Sequence, residues 1–185
     1  MPTAVEIDGR EYSINSDYRN CLRAILAFED DELVTQEKQF VMLRLLYPEM
    51  PENIEKATYQ AIKFLNGGII EENEESIPAA PRIYSFGKDA NLIFAAFKQT
   101  HGIDLAEIEY LHWWKFMALF MDLGSDTAFC NLVGLRKRVK TGKATREERQ
   151  AAIEIGDLFD IPDVDTRTLE EKEQEAEFLR MVYEK

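Results

Sequence analysis

Between positions 105 and 123 the chain reads LAEIEYLHWWKFMALFMDL, and from Tyr110 to Met121 only His112 and Lys115 are not apolar. A helix that is apolar nearly all round must be buried, in a protein core or in a membrane. Asp104 is a suitable N-cap, Glu107 stands three residues on to complete a capping-box-like pair, and Gly124 fits the position just past the end. Such a helix would be about 28 Å long. Glu107, Glu109, His112, Lys115 and Asp122 interrupt the roughly 20-residue apolar run that a bilayer requires. The stretch therefore predicts a buried central helix over 105–123, with the other helices laid against it.

The rest of the composition fits that frame. With 185 residues and a hydrophobic fraction of 45%, the chain can bury a sizeable core. The net charge of −13 argues against a surface built throughout for nucleic acid or anionic lipid. MPTAVEIDGR at the start has no basic region followed by an apolar run, so no signal peptide is expected. Cys21 and Cys130 lie in apolar helical patterns and form no CxxC; they are expected to be reduced core cysteines, with a disulfide between them left open.

In chain order, AVEI-DG-REYSI over 4–14 reads as a β-hairpin about an Asp8-Gly9 type I′ turn. That register sets Ile7 opposite Arg10, Val5 opposite Tyr12 and Thr3 opposite Ile14, leaving Val5, Ile7, Tyr12 and Ile14 on one face. Helices are expected from Ser16 or Asp17 to about Phe28, from Thr35 to Tyr47 before Pro48, and from Pro51 to the Gly67-Gly68 stop. Residues 69–82, with clustered Glu and two prolines, read as an acidic loop between two helical lobes. Further helices start at Ser85 or Asp89, at Ser125 and at the Thr145/Glu148 capping box, the last running to about Phe159. A thin apolar stripe of Ala176, Leu179, Val182 and Tyr183 marks an acidic C-terminal helix or arm over 160–185. The fold class is mainly α: a bundle of about seven helices in a domain over 16–159, with a small N-terminal β-hairpin over 1–15.

Signatures of chemistry are sparse. There is no GxGxxG after a strand, no GxxxxGK[ST], no HExxH and no GxSxG. His101-x-x-Asp104 straddles a helix junction and is read as a local cap or surface contact; His112 is read as a hydrogen-bonded core residue. No catalytic residue, cofactor or metal is expected.

Two candidate interaction features remain. Between positions 135 and 149 the residues Arg136, Lys137, Arg138, Lys140, Lys143, Arg146 and Arg149 stand against only Glu147 and Glu148, a local +5. From 150 to the end, eleven acids stand against four bases, a local −7. The basic run, with Arg136, Lys137 and Arg138 at its head, could contact phosphates, or form a solvated face, or pair with the acidic C-terminal segment. Trp113 and Trp114 are adjacent on a helix and point about 100° apart, so one can fill the centre while the other reaches a second layer or an interface. Leu179, Val182 and Tyr183 are the third candidate, as the stripe of the C-terminal helix.

Three blocks in fixed order carry a family resemblance: INSDYRNCLRAILAFEDDELVTQEKQFVMLRLLYPEMPEN, then DANLIFAAFKQTHGIDL, then LHWWKFMALFMDLG followed by LVGLRKR. Over about 14–149 the chain resembles the gene-product-fifteen family of small acidic proteins from tailed phages and prophages of Gram-positive bacteria. Members are encoded just before the tape-measure gene of long-tailed phages. The resemblance implies a non-enzymatic tail-assembly chaperone or accessory factor in the host bacterial cytoplasm. Its partner would be the tape-measure protein, with tail-tube subunits as a further candidate. The family carries no established catalytic or ligand residues. A nucleic-acid-binding phage protein using 135–149, and a minor virion structural or adaptor protein, are the alternatives. Neither a membrane nor nucleic acid is the expected partner, and self-association is left open.

Overall fold

The computed structural model describes residues 1–69 and 81–161. Two strands, β1 (Ala4–Ile7) and β2 (Arg10–Ser13), are followed by seven α-helices among the described residues. These are α1 (Tyr18–Glu29), α2 (Thr35–Leu46), α3 (Ile54–Leu65), α4 (Ala90–His101), α5 (Trp113–Met121), α6 (Ala128–Lys140) and α7 (Arg146–Ile155). A 3₁₀ turn, Gly156–Leu158, closes the series. The fold is mainly helical with one small antiparallel hairpin, as the periodicity predicts. Most of the acidic loop and of the C-terminal arm, with Leu179, Val182 and Tyr183, lie outside the described residues.

The hairpin register is the expected one: Val5 pairs with Tyr12 and Ile7 with Arg10. Asp8 and Gly9 both take positive φ, +53° and +77°, which a type I′ turn requires of its two central residues. A two-stranded hairpin is marginal in water. This one buries Ile7, Tyr12 and Ile14 in the same cluster as residues of α1 to α5 and Phe129 of α6, with Val5 packed at its edge.

Helix starts follow side-chain chemistry. Asp17 caps α1 by accepting the Arg19 N–H, Asn53 caps α3 through Lys56, Thr127 caps α6 through Cys130, and Thr145 with Glu148 forms the capping box of α7. Besides that of α5, three starts differ from expectation. Thr35 is the first helical residue of α2, after Val34. Pro51 is buried ahead of α3, which begins only at Ile54, and Thr127 replaces Ser125 as the cap of α6.

The central helix is shorter than 105–123. It begins at Trp113, with His112 as its cap. The preceding segment is held by α1 instead. The Leu105 carbonyl accepts the Tyr18 hydroxyl at 2.6 Å, and the Ile108 carbonyl accepts from the Arg19 guanidinium. The backbone also pairs across: Tyr18 N–H donates to Leu111 O at 2.9 Å and Trp113 N–H to Ser16 O at 2.7 Å. Carbonyls that would serve the next helical turn are thus already occupied, and tertiary pairing overrides local helical preference. Nor is α5 dry all round. Trp113, Phe116 and Phe120 face inward, whereas Lys115 and Ala118 are exposed and Met121 is 79% exposed.

The helix is still central. The Phe116 ring stacks on Tyr18 and Phe97 at 5.0 Å each and on Trp113 at 5.5 Å, with Phe86 at 6.3 Å. Stacked and tilted pairs at such separations add about 0.5–1.5 kcal/mol each beyond area burial. One residue thus joins α1, α4 and α5.

Candidate interaction surface

The adjacent tryptophans do one job together. Trp113 Nε1 donates to the Leu65 carbonyl at 2.9 Å and Trp114 Nε1 to the Phe64 carbonyl at 2.8 Å, which also accepts the Gly67 N–H, so both indoles bond the last carbonyls of α3. Trp113 is fully buried, whereas Trp114 is half-buried over the Gly67-Gly68 stop. Gly68 takes φ +88°, and a Cβ there would meet the Trp114 ring at 3.1 Å. One indole fills the centre and the other a second layer, as the spacing allows. That both indoles would end the same helix is not legible in the sequence.

Both histidines serve backbone. His112 Nδ1 accepts the Trp114 N–H at 3.1 Å, so Nε2 carries the proton and donates to Pro2 O at 2.8 Å. This ties α5 to the N-terminus of the hairpin. His101 Nε2 meets Leu119 O at 2.9 Å, while Asp104 caps Ala106 and pairs with Lys98. The Ala106 N–H and, after it, Lys98 hold the Asp104 carboxyl below its usual range.

The cysteines are free; burial pushes the Cys21 thiol up to about 12, which leaves it a packing group at neutral pH. Among the described residues no group of three or more His, Cys, Asp or Glu could hold a metal ion.

Arg136 is not a surface cation, contrary to its candidacy for phosphate contact. Its side chain is fully buried and grips Asp89 in a fork, Nη1 to Oδ2 at 2.7 Å and Nη2 to Oδ1 at 2.9 Å. Its Nε donates to the Phe159 carbonyl at 2.8 Å, and its Nη2 also reaches Leu158 O. Asp89 in turn accepts the Ser85 N–H at 3.0 Å. The pair therefore fastens three parts of the chain: the entry to α4, the middle of α6 and the exit beyond α7. Arg138 pairs with Glu148 of α7 at 2.7 Å, and Lys137 is exposed. The head of the basic run is thus split among core, ion pair and solvent, and does not form one cationic face. Asp89 as the partner was missed. A buried carboxylate at a helix start carries no mark in the sequence that sets it apart from an ordinary N-cap.

Beside this clasp lies a groove of about 340 Å³ lined by Leu92, Ala128, Asn131, Leu132, Leu135, Ile155 and Leu158. Positions 128, 131, 132 and 135 are one face of α6 at i, i+3, i+4 and i+7. A family model described as Bacteriophage Gp15 protein matches residues 1–161. The chain belongs to that family. No curated protein and no solved structure matches it. The Gp15 match takes in the hairpin and the part of α7 past Arg149, which the 14–149 span of the sequence resemblance leaves out, so the clasp and the groove lie wholly within the family region. No helix among the described residues of this Gp15 chain is long and apolar enough to cross a membrane.

Proposed function

We propose that this phage protein is a tail-assembly chaperone that binds the tape-measure protein, and secondarily tail-tube subunits, in the host cytoplasm, without catalysing a reaction. The observation that carries the proposal is the family match over residues 1–161. The surface is compatible with it. Large apolar side chains stand exposed on separate helices: Phe40 on α2, Tyr59 and Ile62 on α3, and Ile153 on α7. Exposed apolar groups on helices are what an amphipathic helical client needs for docking. A net charge of −13 keeps such a complex dispersed.

The test is co-expression with the phage's own tape-measure protein. The expected result is that the tape-measure protein is soluble and co-elutes only when this chain is present. Equal solubility without the chain would end the proposal. Finding the chain in purified virions at a fixed stoichiometry would replace it with a structural or adaptor role.

A further inference from the structure

We infer that the groove between α6 and the α7 exit is the seat of this chain's own acidic C-terminal segment, residues 169–185. The groove is an unfinished helix-packing site. Leu132 and Leu135 are buried at its floor, while Ala128, Asn131, Ile155 and Leu158 are exposed at its walls. Two turns of apolar helix face are thus presented with no helix of the described residues covering them.

Three observations select the occupant. First, the chain is delivered there. Arg136 holds the carbonyls of Leu158 and Phe159, Leu158 itself lines the groove, and the described chain ends three residues later at buried Ile161, after Lys88 takes the Asp160 carbonyl. Second, the reach suffices. Residues 162–168 can span up to roughly 23 Å when extended, whereas the groove face from Ala128 to Leu135 is about 10 Å long at 1.5 Å per residue. Third, charge and pattern match. Residues 162–185 carry eight acids against four bases, net −4, and 135–149 keeps a net +4 once Arg136, buried against Asp89, is left out. Their apolar positions Ala176, Leu179, Val182 and Tyr183 recur at helical spacing. The seat is one that a helical client could contest, but the inference stands on the groove and does not require the chaperone role.

The experiment uses the full-length chain with a benzophenone amino acid in place of exposed Asn131. Photocrosslinked monomer is separated, digested and read by mass spectrometry. The expected product is an intramolecular crosslink to a peptide within 169–185, falling at least tenfold in the L179E/V182E double variant. Unchanged tryptophan fluorescence in that variant checks that the fold is retained. Crosslinks found only in dimers would assign the groove to a second copy and overturn the inference. Absence of a crosslink to 169–185 in the monomer would also overturn it, as would a yield unchanged in the double variant.

Discussion

Removing the Arg136 guanidinium should destabilise the fold far more than removing any neighbouring cation. In Arg136→Leu, the Asp89 carboxylate stays fully buried with its fork of two hydrogen bonds gone and only the Ser85 N–H left. Breaking a buried pair from one side costs about 3–5 kcal/mol. The carbonyls of Leu158 and Phe159 lose a donor too, but these residues are exposed and half-buried, and water can replace it at small cost. For a chain of this size, about 3–5 kcal/mol corresponds to a fall in Tm of roughly 6–20 °C. Two comparisons separate the charge from the packing. Lys137→Leu, one position along and exposed, should stay within about 0.5 kcal/mol. The double variant Asp89→Asn/Arg136→Met removes both charges and keeps an acceptor for Ser85, so it should recover most of the loss. Urea denaturation followed by tryptophan fluorescence measures all three. An Arg136→Leu cost below about 1 kcal/mol, or equal to that of Lys137→Leu, would refute the buried clasp.

Three further outcomes follow from the same geometry. Trp114→Phe should cost about 1 kcal/mol through its lost bond to the Phe64 carbonyl, and Trp113→Phe about 2–3 kcal/mol, since it adds a core void; equal costs by denaturant titration would contradict the two environments. Gly68→Ala should cost about 1–2 kcal/mol, because φ +88° disfavours a side chain and the new Cβ presses on Trp114, and the emission of Trp114 should shift with it. Burial pushes Tyr47 from its ordinary value of 10.0 up to about 12, its hydroxyl donating to the Ala57 carbonyl. The folded state therefore keeps a proton that the unfolded chain gives up, so this contribution is full below pH 10 and is lost as pH rises toward 12. Stability measured across that window should fall less steeply in Tyr47→Phe than in the parent.

What the sequence discloses depends on whether the interaction is local. The hairpin was legible to its register, because Asp8-Gly9 and strict alternation are short-range constraints. The same holds for the Thr145/Glu148 box of α7. The apolar run also marked α5 as buried, though it overstated how much of the helix is covered, since only Trp113, Phe116 and Phe120 are fully inward. The start of α5 was not legible. Residues 105–112 are helical by local preference, and what unwinds them is Tyr18 and Arg19, some ninety positions earlier, taking their carbonyls.

Arg136 shows the same limit for charge, and shows what is gained by passing it. In a run of seven cations residue type does not distinguish the one whose side chain turns into the core, and the facing Asp89 that decides it lies 47 positions away. Helix phase offers a partial clue in retrospect. Arg136 follows Leu132 and Leu135 on the apolar side of α6, whereas Lys137 falls on the opposite side. A cation at a core phase implies a buried anion, because an unpaired one is too costly to keep. Applied here, that rule moves Arg136 from a surface that binds phosphate to a bolt that fixes the entry of α4 and the exit of α7. The basic run then contributes to the fold at its head and to the surface at Lys137.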